Sequence, residues 1–165
     1  MIIDKALLDS LFKQAADTPR LRQNHDMRTS PNDSSQRMLN ALLPGTQVPI
    51  HRHPNSSENV ICLSGSIDEV IYEETEEHTP GAYGSEQGME AQDIRCGTVL
   101  REQERIHLSP AEGLFGCTIP AGAWHSVEVF EPSVIYEAKD GKYGEDGSET
   151  CGSLPHRTTP LPRNP

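Results

Sequence analysis

Between Arg52 and Arg95 the chain has no lysine or arginine at all. The gap is part of a wider imbalance, because the 165 residues carry a formal net charge of −11. Residues 1–52 hold seven Lys/Arg against five Asp/Glu, a net of +2, so the rest, with seven against twenty, carries −13. A surface this acidic lacks the phosphate-neutralising charge that nucleic-acid binding needs. It is equally unsuited to an anionic membrane surface. Any anionic small molecule has to be met by the few arginines of the first third. The chain also has no C-x-x-C pair. Cys62, Cys96, Cys117 and Cys151 are widely spaced, which removes the zinc-ribbon and thioredoxin readings and leaves disulfide pairing open. No run approaches the roughly 18 apolar residues of a membrane span. The start, Met1-Ile2-Ile3-Asp4-Lys5, does not read as a signal peptide. The expectation is a cytoplasmic protein with reduced thiols. Hydrophobic residues make up only 34%, so a sizeable share of the chain is expected in loops and termini. We find no internal repeat.

What is abundant is punctuation. Thirteen glycines and thirteen prolines divide the chain into short segments, which favours an all-β domain with many turns. One helix is expected first: Asp4 caps it, Ile3, Ala6, Leu7, Leu8, Leu11, Phe12 and Ala15 recur at helical spacing, and Thr18-Pro19 ends it. Residues 20–36 read as polar and irregular. Strands are then expected over Gln36–Leu43, Val48–His53, Glu58–Leu63 and Ile67–Tyr72, followed by Thr98–Leu100, Arg105–Leu108, Gly113–Pro120, Trp124–Phe130 and Val134–Lys139. Residues 73–93 carry seven acids and read as a long exposed loop or insertion. From Asp140 onward apolar residues vanish, and residues 144–165 read as an extended tail. The division is therefore a helix over 1–19 packed on the domain, a β domain over 20–143, and the tail. This many short strands with no crossover helices points to a sandwich or jelly-roll barrel.

The chemistry is concentrated around His51-Arg52-His53. Residues i and i+2 of a strand share a face, so both imidazoles reach one point. Glu58 opens the next strand just past Pro54-Asn55-Ser56-Ser57, where cross-strand neighbours lie roughly 5 Å apart. His125, set up by Pro120-Ala121-Gly122-Ala123-Trp124, is the best fourth donor. Three imidazoles and a carboxylate leave one or two positions open on a six-coordinate ion, as a catalytic metal requires. Zn, Fe, Mn, Ni, Co or Cu each suits this donor set. A bare His-x-His is common by chance; the full spacing is not.

That spacing resembles a known family. Gly45 to Gly65 matches the first cupin motif, G-x5-H-x-H-x4-E-x6-G, at each fixed position, and Pro120 to His125 matches the P-x-G-x-x-H part of the second. Two departures stand out. The usual Asn after the second-motif His is Val129 here, and Gly113 lies one residue too far from Pro120. The stretches Gln36–Thr46, His51–His53, Trp124-His125 and Glu137–Tyr143 further resemble the WbuC-type cupin metalloproteins, over roughly residues 18–143. The resemblance implies an all-β cupin fold (a double-stranded β-helix, or jelly-roll barrel) with a short N-terminal helix and one divalent transition metal on His51, His53, Glu58 and His125. It also implies an association with bacterial O-antigen and surface-polysaccharide gene clusters.

Further site candidates are weaker. Arg22, Arg37 and Asn40 are candidate substrate-binding residues, and Glu137, Lys139 and His25 candidate acid–base groups. Glu137 and Lys139 share a strand face, which a plain surface ion pair worth about 0–1 kcal/mol would also explain. Arg52 points away from the ligand face by parity and is expected to pair with an acid outside. Cys62 is expected inside as a small apolar residue. Three functions follow: a metal-dependent isomerase or epimerase acting on a sugar or sugar-nucleotide, an iron-dependent dioxygenase, or a non-catalytic metal-dependent sugar-binding protein. A fold by itself does not choose among them. The exposed β edges would suit a homodimer.

Overall fold

The computed structural model describes residues 1–76 and 98–151. Helix α1 spans Lys5–Ala16, and the Asp4 carboxylate accepts from the Leu7 amide at 2.9 Å, satisfying one of the unpaired first-turn donors. Among the described residues ten strands follow: β1 Arg22–Asp26, β2 Ser35–Leu42, β3 His51–Arg52, β4 Glu58–Ser64, β5 Ile67–Glu76, β6 Thr98–Leu108, β7 Gly116–Ile119, β8 Trp124–Val129, β9 Ser133–Asp140 and β10 Glu149–Thr150. They form two antiparallel five-stranded sheets, in the orders β1-β2-β9-β4-β7 and β10-β3-β8-β5-β6. Among the described residues no helix is long and apolar enough to cross a membrane.

Two apolar clusters hold these layers. The inner one joins the sheets through Leu42, Val60, Cys62, Ile67, Ile71, Leu108, Ile119 and Ile135. The outer one seats α1 on the far face of the first sheet, with Leu11 and Ala15 against Leu39, Ala41 and Val134. The first sheet is thus covered on both faces, which decides where β2 sends its side chains. The odd-numbered apolar residues Leu39 and Ala41 lie under the helix, while Gln36, Met38, Asn40 and Leu42 face the interior. Cys62 is buried as expected, and among the described residues Cys62, Cys117 and Cys151 form no disulfide.

Several segments differ from expectation. Residues 20–36 contain β1, which pairs with β2 in the register Arg22↔Leu42 to Asp26↔Met38. The expected strand over Val48–His53 shrinks to two residues, because Pro49 has no amide proton to give a ladder. The two short strands expected at 98–108 are one, with a register shift opposite Ile71 and Tyr72. Its charged middle broke the apolar pattern in the sequence, yet those charges are outward ion pairs: Arg105 holds Glu102 and Asp68 at 3.0 and 3.1 Å and also pairs with Glu128. The acidic stretch expected as a loop over 73–93 starts inside β5, which runs to Glu76; residues 77–93 lie outside the described residues. The expected tail at 144–165 returns to the domain at β10, which pairs Glu149↔Arg52 and Thr150↔His51; residues 152–165 lie outside the described residues.

The β4–β5 turn explains one glycine of the motif. Gly65 sits at φ 88°, and a Cβ there would run into Ser133 and the Pro132 carbonyl. Gly65→Ala therefore combines a left-handed backbone cost of about 1–2 kcal/mol with overpacking of about 1–3 kcal/mol. Urea unfolding should show a lower midpoint, by that stability loss divided by an unchanged m-value.

Candidate metal centre

The two sheets face each other across the site. On the first, β2, β9 and β4 align Gln36, Lys139 and Glu58 in one row. On the second, β3 and β8 pair His51 directly with His125. His53 follows β3 by one residue, held by the Gly122 amide donating to its carbonyl at 2.9 Å. The result is one cluster: a ligand atom from each of His51, His53, Glu58 and His125 lies within 4.8 Å of every other. His53, Glu58 and His125 are buried.

The imidazole tautomers follow from the outer nitrogens. His51 Nδ1 donates to the Pro49 carbonyl at 2.9 Å and His125 Nδ1 to the Ala123 carbonyl at 3.0 Å. His53 Nδ1 meets Ser148 Oγ at 2.8 Å, and that hydroxyl donates to Asp146 Oδ2 at 2.6 Å. A carbonyl can only accept, and a hydroxyl spent on a carboxylate accepts from the ring. All three Nδ1 atoms therefore carry the proton, and all three Nε2 lone pairs turn inward. Burial and the neighbouring His125 push the His51 pKa down to about 4, so its ring is neutral at pH 7.

Glu58 completes the set. Its Oε2 is 3.0 Å from His53 Nε2 and 3.4 Å from His125 Nε2. These short separations are not hydrogen bonds for the tautomers above, since no proton lies between the atoms. Among the described residues, Oε2 is a buried oxygen without a hydrogen-bond donor. Burial opposes the Glu58 charge, and Lys139, 3.9 Å from Oε1, favours it. Four electron-pair donors converging on one point fit a divalent transition metal, in the outer-hydrogen-bonded form that metal-bound histidines adopt. The positive charge the protein itself places there is Lys139, whose ammonium is 2.9 Å from His53 Nε2 and 3.9 Å from Glu58 Oε1.

A cavity of about 330 Å³ opens beside the cluster, lined by Arg20, Arg22, Asn40, Glu69, Glu137 and Lys139 among others. Asn40 donates to Glu137 Oε2 at 2.7 Å. Burial and the adjacent Glu58 charge push the Glu137 carboxyl up to about 8. Arg22 donates to the Gln47 carbonyl at 2.7 Å, and burial and the nearby Arg20 hold its pKa below the ordinary value. Arg22, Asn40, Glu137 and Lys139 are thus brought to the site. His25 and Arg37 are not. By strand parity, with Arg22 and Asn24 facing the cavity, His25 takes the other face of β1. Arg37 likewise alternates with Gln36 and Met38, and its guanidinium binds Asp33 at 2.5 Å and Ser35 at 2.9 Å. Neither lines the cavity, and the expectation of substrate or proton contact is corrected for both.

Outside, Arg52 does pair with acids: Glu149 at 2.6 Å and Glu74 at 3.3 Å. Its guanidinium carbon sits 4.4 Å from the Trp124 ring centroid, and the Trp124 indole donates to Glu74 at 2.7 Å. Sequence reasoning missed Asp146 and Ser148, which orient His53 from the C-terminal segment, and Glu69. Only Glu69 carried a signal, since it shares parity with the core residues Ile67 and Ile71.

A family model described as a domain of unknown function (DUF6016) matches residues 3–81. No curated protein matches the chain. Among solved structures, a cupin 2 domain-containing protein from Halorhodospira halophila is similar at TM-score 0.51 and 14% identity, covering 80% of this chain and 71% of that one. A double-stranded beta-helix protein from Klebsiella pneumoniae aligns at TM-score 0.49 and 11% identity, covering 92% and 97%. KdgF from a Halomonas species aligns at TM-score 0.49 and 13% identity, covering 78% and 84%. The fold is a cupin fold, a double-stranded β-helix with one short N-terminal helix.

Ser148→Ala leaves all four donors in place but removes the hydroxyl between His53 and Asp146. Metal affinity, measured by competition with a chelator of known strength, should fall by about 10–100-fold, the range for loss of an outer hydrogen-bond partner. His125→Ala, by contrast, should remove bound metal altogether, as read by elemental analysis of the purified protein.

Proposed function

We propose that the chain is a metal-dependent cupin enzyme that moves a proton on a sugar or sugar-nucleotide, an isomerase or epimerase of surface-polysaccharide synthesis related to the WbuC-type cupins. The observation that supports it is the juxtaposition in one cavity of the four inward donors with an acid–base pair, Glu137 and Lys139. A divalent ion held by His51, His53, Glu58 and His125 would polarise a substrate oxygen as a Lewis acid.

The chain's own groups divide the remaining work. Glu137, with its pKa brought up to about 8, is populated in both protonation states near neutral pH, the property a proton-exchanging group needs. Asn40 fixes the carboxyl by donating to Oε2. Lys139 brings an ammonium donor to the same cavity. Arg20 and Arg22 lie on its lining, where burial and the Arg20 charge hold the Arg22 pKa below its ordinary value. An anionic group bound between them relieves that repulsion, which suits the phosphate of a sugar-nucleotide. These two arginines come from the short basic part of an otherwise acidic chain.

The test is solvent exchange. Metal-loaded protein incubated with nucleotide sugars in D2O should place deuterium on a substrate carbon, detectable by NMR. Glu137→Gln should slow that exchange by about 10²–10⁴-fold, the usual contribution of a positioned acid–base group, with metal content unchanged. Nucleotide sugars that bind but never exchange, with any of Zn, Mn, Ni, Co or Fe loaded, would refute catalysis. Oxygen uptake by the iron-loaded protein would replace the isomerase with the dioxygenase.

A further inference from the structure

Glu69 occupies a position that strand chemistry would give to an aliphatic residue. It lies on β5 between Ile67 and Ile71, both in the inner core, and opposite Val127 on β8. It is 1% exposed, and among the described residues neither Oε1 nor Oε2 has a hydrogen-bond partner. Buried carboxyls are nearly always bonded, because an unsatisfied one opposes folding. The same side chain lines the cavity beside the metal donors. A polar group left unpartnered at such a position points to a ligand that partners it.

The surroundings define that ligand. Glu58 and Glu137 are close enough to raise the Glu69 pKa further, beyond the large effect of burial. A phosphate or carboxylate would meet three carboxyl groups at this end of the cavity. A hydroxyl meets a complementary group, since a carboxyl there can both give and take a hydrogen bond. The cationic lining of Arg20 and Arg22 suits the opposite character. We propose that Glu69 is a substrate-recognition residue, binding a hydroxyl of a polyhydroxylated ligand whose anionic group is held by Arg20 and Arg22. The proposal rests on the reading of the cavity as a substrate site, and it adds the part of the substrate that is read.

Two simple probes separate the pieces: gluconate, a six-carbon carboxylate bearing hydroxyls, and hexanoate, the same chain length without them. Calorimetry on the metal-loaded wild type should show gluconate preferred by at least about tenfold, the scale of one hydrogen bond to a charged or strongly polar group. Glu69→Leu should erase the preference and Glu69→Gln should weaken it. Both variants should keep their metal and melt at or above the wild-type temperature, because each relieves an unsatisfied buried carboxyl. A preference that survives both substitutions would overturn the proposal. So would a lower melting temperature in both, which would make Glu69 a structural residue. Failure of the metal reading shows separately, as wild-type protein that holds no metal.

Discussion

Three imidazole lone pairs and a carboxylate oxygen face one another with no proton between them, and much of the structure exists to keep them so. Such a cluster is repulsive by itself. It persists only where the surrounding hydrogen bonds dictate each ring's tautomer and where a positive charge sits at the focus. The Pro49 and Ala123 carbonyls and the Ser148 hydroxyl do the first. Lys139 and the negative potential of Glu58 supply the electrostatic setting for the second. An ion held by these donors would compete with Lys139 for the same His53 lone pair.

The donor set was readable because it follows from short-range rules. His51 and His53 share a face by alternation, Glu58 follows a tight turn, and His125 follows a Pro-Gly turn. The β-rich architecture was readable from turn residues for the same reason. What escaped were features set by packing between distant segments. Arg37, Leu39 and Ala41 form the more apolar face of β2, and a two-layer picture would put that face inside. The sheet has a helix on its outer side, so the apolar face lies under α1 and the polar alternates face the cavity. Arg37 therefore lies away from the cavity, while Asn40 lines it.

Asp146 and Ser148 illustrate another limit. They reach His53 across more than ninety positions of sequence, from a glycine-rich segment with no periodicity to betray a role. Composition alone describes such a segment as a tail. Glu69 is the converse case, a residue whose parity contradicts its chemistry. Disagreement between a position and its side chain is itself a signal, strongest where the partner is absent from the fold.

Strand β3 is two residues long, too short to be held by its own ladder. Its fastening is on the outside, through Arg52 lodged among Glu149, Glu74 and the Trp124 ring. Those charges are half-exposed and subject to screening, whose range is about 8 Å at physiological ionic strength. The candidate metal centre is thereby wired to the salinity outside: salt can slacken the rivet that aims two of its histidines.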